Sequence, residues 1–192
     1  MFILAKRIKN NFFKFKRSDG FSLVELLVSI SIITLMSTLF LTNYHSTNER
    51  SALILAAQKL SSDVRIAQNK SLGSSEYGDD NIPTGGWGVH IEEGGENYTI
   101  FADDNGNYTF DIGEDNISDG AEFLKFPPNV TIKEINVNSL EVASLDVVFL
   151  PPNPVTFING IGGASAEIIL TESASLSTSI IEINYFGLID NI

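Results

Sequence analysis

The sequence predicts an α+β fold in which a long N-terminal α-helix, transmembrane in its first half, packs on a C-terminal antiparallel β domain. Three observations predict this fold. A long uncharged apolar run follows a basic leader, and a helical pattern continues beyond that run. Short β-rich segments separated by Gly, Asn, Asp and Pro then fill the rest of the 192 residues. This length suits one modest domain with extensions.

The leader and the rest of the chain carry opposite charges. Residues 1–20 hold six Lys and Arg against the single acid Asp19, a formal charge of +5, whereas the remaining residues hold six Lys and Arg against 23 acids, a formal −17. An acidic body repels phosphate backbones, which argues against nucleic acid as a partner. Because the chain has no cysteine, disulfides, thiolate catalysis and cysteine-based metal sites are excluded.

The apolar run is long enough to cross a membrane. No charged residue occurs from Leu26 to Asn48, and Leu26–Leu41 reads LLVSISIITLMSTLFL. As a helix, Phe21–Tyr44 is about 36 Å long, against a hydrocarbon core of about 30 Å. The basic leader predicts a cytoplasmic N-terminus, a single span of the membrane and a C-terminal domain outside. A secretory signal peptide, the alternative, has a shorter core and a small-residue cleavage site that this run lacks.

Glu25 is the anomaly in this apolar stretch. A carboxylate near the membrane core costs about 2.5–3.5 kcal/mol on insertion scales, so it usually marks a partner or a function. A cut after Gly20 would give Phe21 a new ammonium four residues before Glu25, and the opposite charges would remove much of that cost. The alternative is an interfacial Glu at the helix start, where the helix dipole favours an anion.

The segment Lys16–Val28, which reads KRSDGFSLVELLV, resembles the processing site of type IV prepilins and type II secretion pseudopilins. In that family a prepilin peptidase cuts after the glycine, the new N-terminal Phe is N-methylated, and an acid at the fifth mature position is needed for assembly. The resemblance therefore implies that Gly20 is the cleavage residue, Phe21 the methylated residue and Glu25 the assembly acid.

The resemblance covers about residues 14–45 and also implies the partners. These are the prepilin peptidase, other pilin or pseudopilin subunits and the inner-membrane assembly platform. Many major pilins carry a proline well inside the mature helix, and none occurs here between Phe21 and Tyr77. This departure favours a minor pilin or a pseudopilin. Asp63–Asn69 and Gly85–Ile91 also resemble segments of minor pseudopilins and minor pilins.

An amphipathic pattern continues the helix beyond the membrane. Six apolar residues recur at steps of three and four and predict a buried stripe: Leu53, Ala56, Ala57, Leu60, Val64 and Ala67. Ile54 and Ile66 are expected to widen this stripe. Four charged residues are expected mainly off it, namely Lys59, Asp63, Arg65 and Lys70. One helix is therefore predicted from about Phe21 to Ser71, with Gly73 as its stop signal.

These patterns divide the chain into four predicted segments. They are a cleaved cytoplasmic leader (1–20), a transmembrane and filament-core helix (21–45), an amphipathic helix extension (46–75) and an exported β-rich domain (76–192). Seven strands are predicted in the β domain, at Trp87–Glu92, Asn97–Ala102, Glu122–Phe126, Thr131–Val137, Asp146–Leu150, Glu167–Thr171 and Ile180–Tyr185. Glu93–Glu96, with two central glycines, predicts a hairpin turn.

One acidic loop, residues 103–114, has the spacing of a calcium-binding loop. Oxygen-bearing residues occupy loop positions 1, 3, 5, 7, 9 and 12, as Asp103, Asn105, Asn107, Thr109, Asp111 and Glu114. Position 6 should be Gly for a sharp turn, but Tyr108 stands there, and a strand rather than a helix is predicted before the loop. The alternative is a solvated turn rich in residues that tolerate turn geometry. Calcium is the one cofactor the sequence suggests.

Enzyme signatures are absent from the sequence, which has no G-x-S-x-G, H-E-x-x-H, phosphate-binding glycine loop or Cys/His pair. His45 and His90 have no second His at ligand spacing and are interpreted as structural, and Trp87 is interpreted as a core or strand-edge residue. The chain is therefore predicted to be a structural filament subunit and not an enzyme.

Two alternatives stay open. A filament-tip subunit for adhesion or DNA uptake would show tight, salt-sensitive DNA binding if DNA were its ligand. An unprocessed single-pass anchored protein would retain Met1.

Overall fold

The computed structural model describes residues 20–77, 81–111, 122–152, 155–174 and 176–192, with the backbone alone for 42–49 and 122. The predicted leader up to residue 19 lies outside these ranges. The chain divides into two compact units, Met1–Thr42 and Asn43–Ile192. The predicted fold class is confirmed: a long N-terminal helix packs on antiparallel β-sheets in an α+β arrangement.

Helix α1 spans Leu23–Leu72, 50 residues. It ends in a Schellman motif, in which the Ser75 amide donates to the Lys70 carbonyl (2.9 Å) and the Ser74 amide to the Ser71 carbonyl (3.0 Å). The residue in the left-handed conformation is Ser74 (φ +47°). The helix therefore ends directly before Gly73, the predicted stop signal, although the left-handed residue lies one position later.

Eleven strands are present among the described residues, in two antiparallel sheets. The first sheet has the order β3-β2-β1-β6-β7-β8, with strands β1 (Gly86–Glu92), β2 (Asn97–Asp103), β3 (Glu122–Lys125), β6 (Ser144–Leu150), β7 (Val155–Ile158) and β8 (Ile161–Gly162). The second has the order β11-β10-β9-β4-β5, with strands β4 (Val130–Val137), β5 (Leu140–Glu141), β9 (Ala166–Glu172), β10 (Thr178–Ile183) and β11 (Ile189–Asn191).

All seven predicted strands form, with ends shifted by at most two residues. Four further strands were not predicted: β5, β7, β8 and β11. They have two to four residues each, which is too short for an alternating pattern to stand out. The turn at 93–96 joins β1 to β2 as predicted.

The second half of α1 packs on the sheets through the predicted stripe. All six residues of that stripe are buried and belong to one apolar core with both sheets. Ile54 and Ile66, expected to widen the stripe, are 53% and 42% exposed. Asp63, expected mainly off the stripe, is buried, and its carboxylate accepts a hydrogen bond from the Tyr98 hydroxyl. A hydrogen-bond partner across the interface lets a charged residue take a core-side position.

The loop after β2 covers the outward face of the first sheet. The Phe110 ring stacks on His90 of β1 (centroids 4.5 Å apart) and meets Phe101 of β2 edge-on (5.2 Å), while Tyr108 stacks on Phe157 of β7 (4.0 Å). Phe101 is therefore fully buried although it alternates with the residues that face the helix. The loop thus covers the outward face of the sheet at β1, β2 and β7.

His90 lies between two acids in this outer layer. Its Nδ1 atom is 2.6 Å from Oδ1 of Asp146, and its Nε2 atom is 3.6 Å from Oε1 of Glu92. Burial lowers the pKa of His90, but the hydrogen bond and charge of Asp146, followed by those of Glu92, outweigh it, so the pKa is raised above the ordinary 6.5.

This raised pKa predicts that the protein loses stability in mild alkali. A His with a raised folded pKa contributes stability that is full below about pH 6.5 and is lost as the pH rises through the folded value. The free energy of unfolding of the full chain in detergent should therefore fall on going from pH 6 to pH 9. Urea titrations followed through the fluorescence of the single tryptophan measure it. His90→Gln should flatten this pH dependence. An unchanged pH dependence in His90→Gln would contradict the assignment.

Candidate functional site at the start of the helix

The junction between Gly20 and Phe21 is exposed and precedes the first helical turn. Gly20, Phe21 and Ser22 lie outside α1, and Phe21 is 78% exposed. Apart from Gly20 itself and its two chain neighbours, no described heavy atom lies within 4 Å of the position that a Cβ atom at Gly20 would take. A peptide bond cut by a protease has to be exposed, and Gly20 and Phe21 are both exposed outside the helix.

Ser22 and Glu25 define the helix start. The Ser22 carbonyl accepts the first α-helical hydrogen bond from the Leu26 amide (3.1 Å), which places Ser22 at the N-cap and Glu25 in the first turn. Ser-x-x-Glu is the spacing of a capping box, and the positive end of the helix dipole favours an acid there. Among the described residues no basic side chain forms an ion pair with Glu25. The N-cap role of Ser22 was not predicted, although this spacing could have revealed it.

The segment Leu23–Leu41, 19 residues long, is apolar and long enough to cross a membrane, and none of it is buried within the chain. Such a large uncovered apolar surface needs lipid or other helices around it. Four hydroxyl groups of the segment donate to the carbonyl four residues earlier at 2.7–2.9 Å, on Ser29, Ser31, Thr34 and Thr38. These bonds let the hydroxyls tolerate an apolar environment. The segment is therefore compatible with a single-pass membrane anchor.

Comparison with known families agrees with this geometry. Residues 15–41 match the family described as the prokaryotic N-terminal methylation motif. The chain thus carries the type IV prepilin-like signal, and the motif supports a type IV pilin-like precursor. Proteins with this signal are structural, are generally processed by a prepilin peptidase and assemble with other pilins. Comparisons with curated proteins and with solved structures gave no significant match.

The acidic loop is the second candidate site, and the structure shows its conformation up to Asp111. The Asp103 side chain is fully buried, and its two carboxylate oxygens accept hydrogen bonds from the amides of Gly106 and Tyr108, both at 2.8 Å. Burial raises the pKa of Asp103, and the backbone hydrogen bonds oppose this shift. A Cβ atom at Gly85 would overlap this carboxylate, so only glycine fits there.

The Tyr108 backbone adopts the left-handed conformation, with φ at +64°, at the loop position where calcium loops use glycine. Tyr108, which counted against a calcium loop in the sequence, therefore adopts the backbone conformation expected of a glycine at position 6. Stacking of the Tyr108 ring on Phe157 helps to hold it there.

The remaining loop residues contact one another. The Asp111 carboxylate accepts hydrogen bonds from the side-chain amides of Asn105 (3.2 Å) and Asn107, and Thr109 donates to Asn107 (2.9 Å). In the described part of the chain no three His, Asp or Glu side chains are grouped to hold a metal ion. Glu114 lies outside the described residues. The calcium site stays a prediction.

A calcium titration tests the predicted calcium site in this loop. If the loop binds calcium, the unfolding temperature of the full chain in detergent should rise by several °C, because an ion at about 100 times its Kd stabilises the folded state by about 2.7 kcal/mol. Asp111→Asn should remove most of this rise, and Asp104→Asn, at a position that is not a predicted ligand, should preserve it. No rise up to millimolar calcium would contradict the prediction.

Proposed function

We propose that the chain is a minor pilin or pseudopilin, a structural subunit of a type IV pilus or a type II secretion pseudopilus. A prepilin peptidase cuts it after Gly20, Phe21 becomes the methylated N-terminus, and the mature helix assembles with those of other subunits. The observation that carries the proposal is Glu25, an acid at the start of an apolar segment that the rest of the chain leaves uncovered.

The role of Glu25 follows from the cost of its charge. In an apolar environment an unpaired carboxylate is strongly disfavoured, and removing one member of a buried ion pair costs about 3–5 kcal/mol. Cleavage creates an ammonium at Phe21, four residues before Glu25. In the filament the carboxylate of one subunit pairs with the ammonium of a neighbour. This ion pair forms only when the two helices are in the correct axial register.

The leader sets the orientation in this proposal. Its six basic residues keep it in the cytoplasm, so the unit Asn43–Ile192 is exported. The inner-membrane assembly platform then extracts the mature subunit from the bilayer. The chemistry of processing is performed on the chain by other proteins, and the chain itself acts as a building block.

The Glu25 role is tested by assembly in the native cells. Glu25→Ala should be cleaved normally but should fall at least about tenfold in the filament fraction sheared from cells, because its neighbour's ammonium is left without a partner. Immunoblots of the sheared and membrane fractions measure this distribution.

Two variants serve as comparisons. Glu25→Gln keeps the size but not the charge and should fail like Glu25→Ala. Ser31→Ala removes a hydroxyl that bonds within its own helix and should assemble normally. Normal amounts of Glu25→Ala in the sheared fraction would contradict the role of the acid.

A further inference from the structure

The outward face of the second sheet carries a strip of isoleucines. Ile169 of β9 lies directly opposite Ile180 of β10, and both are half-buried. The backbone of Ile192 exchanges two hydrogen bonds with Ile180, and its side chain is 70% exposed. Directly opposite side chains are about 4.5–5.5 Å apart, so the three form one contiguous strip. This strip is an apolar sheet face that remains partly open to solvent.

A row of polar residues runs beside the strip across all five strands. Each strand contributes one member, and neighbours in the row are directly opposite one another: Glu141, Asn136, Glu167, Glu182 and Asp190. Glu167, Glu182 and Asp190 are each two positions from an isoleucine of the strip, so row and strip share one face.

The four acids of this row lack a basic partner within the described residues. Like charges placed directly opposite on neighbouring strands destabilise a sheet, so the row has a cost in the free chain. The Asn136 amide donates to Glu134 (2.8 Å) and to Glu167 (3.3 Å), and this donor is neutral. The row therefore has more acceptors than donors, and none of its acids forms an ion pair among the described residues.

The middle of the row is concave. Glu167 and Glu182 line a shallow trough of about 220 Å³ together with Asn136, Asn138, Ser165 and Asn184. A lysine ammonium brings three donors and an arginine guanidinium five, both with positive charge, which suits an acceptor-rich trough of this size.

We propose that this face docks a polypeptide segment that is rich in lysine or arginine and carries apolar side chains. The cationic groups lie along the acid row, and the apolar side chains cover the isoleucine strip. A second copy of the body is a poor occupant, because its net negative charge would repel the row. Docking at this face does not require cleavage after Gly20, because every residue of the face belongs to the unit Asn43–Ile192.

Peptide binding to the full chain in detergent tests this proposal. The probe is a fluorescein-labelled peptide of lysine and isoleucine, compared with a counterpart in which glutamine replaces lysine, both followed by fluorescence anisotropy. Glu167→Gln combined with Glu182→Gln should weaken binding of the lysine peptide at least about fivefold. Ile192→Ser, at an exposed terminal position, should weaken it about twofold or more.

The matched control combines Glu76→Gln and Glu93→Gln, which removes the same charge from exposed positions outside the row and should change binding less than about twofold. The row variant should also unfold at a temperature higher by a few °C, because it removes like-charge repulsion. Equal weakening by row and control variants would overturn the proposal. A magnesium titration without peptide gives a second contradicting outcome. If magnesium raised the unfolding temperature and the row variant abolished this rise, the row would be a cation site and the proposal would be overturned.

Discussion

The central constraint on this molecule is that an apolar helical segment with one carboxylate at its start needs a compatible environment. Leu23–Leu41 is uncovered, and Glu25 lies in its first turn. Lipid can cover the leucines and isoleucines, but it cannot compensate a carboxylate. A nearby positive charge can compensate it, and cleavage after Gly20 would create such a charge at Phe21, four residues before Glu25. The processing site, the membrane segment and the proposed assembly contact thus depend on the same short stretch of sequence.

After the segment Leu23–Leu41, the same helix lies in a second environment, the core of the folded domain. Between Leu53 and Ala67 it presents a stripe that includes three alanines, and these let the helix lie close to both sheets in one core. Further hydrogen bonds fasten the helix to the C-terminal strand and the turn before it: Arg65 donates to the Ile189 carbonyl (2.9 Å) and Gln68 to the Gly187 carbonyl (3.2 Å). The helix therefore combines an uncovered apolar half with a half that belongs to a folded domain.

Much of this could be predicted from the sequence, because strong periodic patterns encode it. The apolar run, the stripe and the seven longer strands each repeat a simple spacing. Side chains whose environment is set by distant parts of the chain could not be predicted in this way. Asp63 is buried because Tyr98 supplies a hydrogen bond from another element. Tyr108 takes a glycine-like conformation with its ring against Phe157. The pairing of His90 with Asp146 depends on strand register, which no local pattern gives.

The mass of the N-terminal peptide of the protein purified from native cells shows whether cleavage after Gly20 creates this ammonium. The mature chain is expected to begin at Phe21, with one methyl group on its terminal amine. A mature chain that still begins at Met1 would contradict this expectation, because the ammonium proposed to compensate Glu25 would never form.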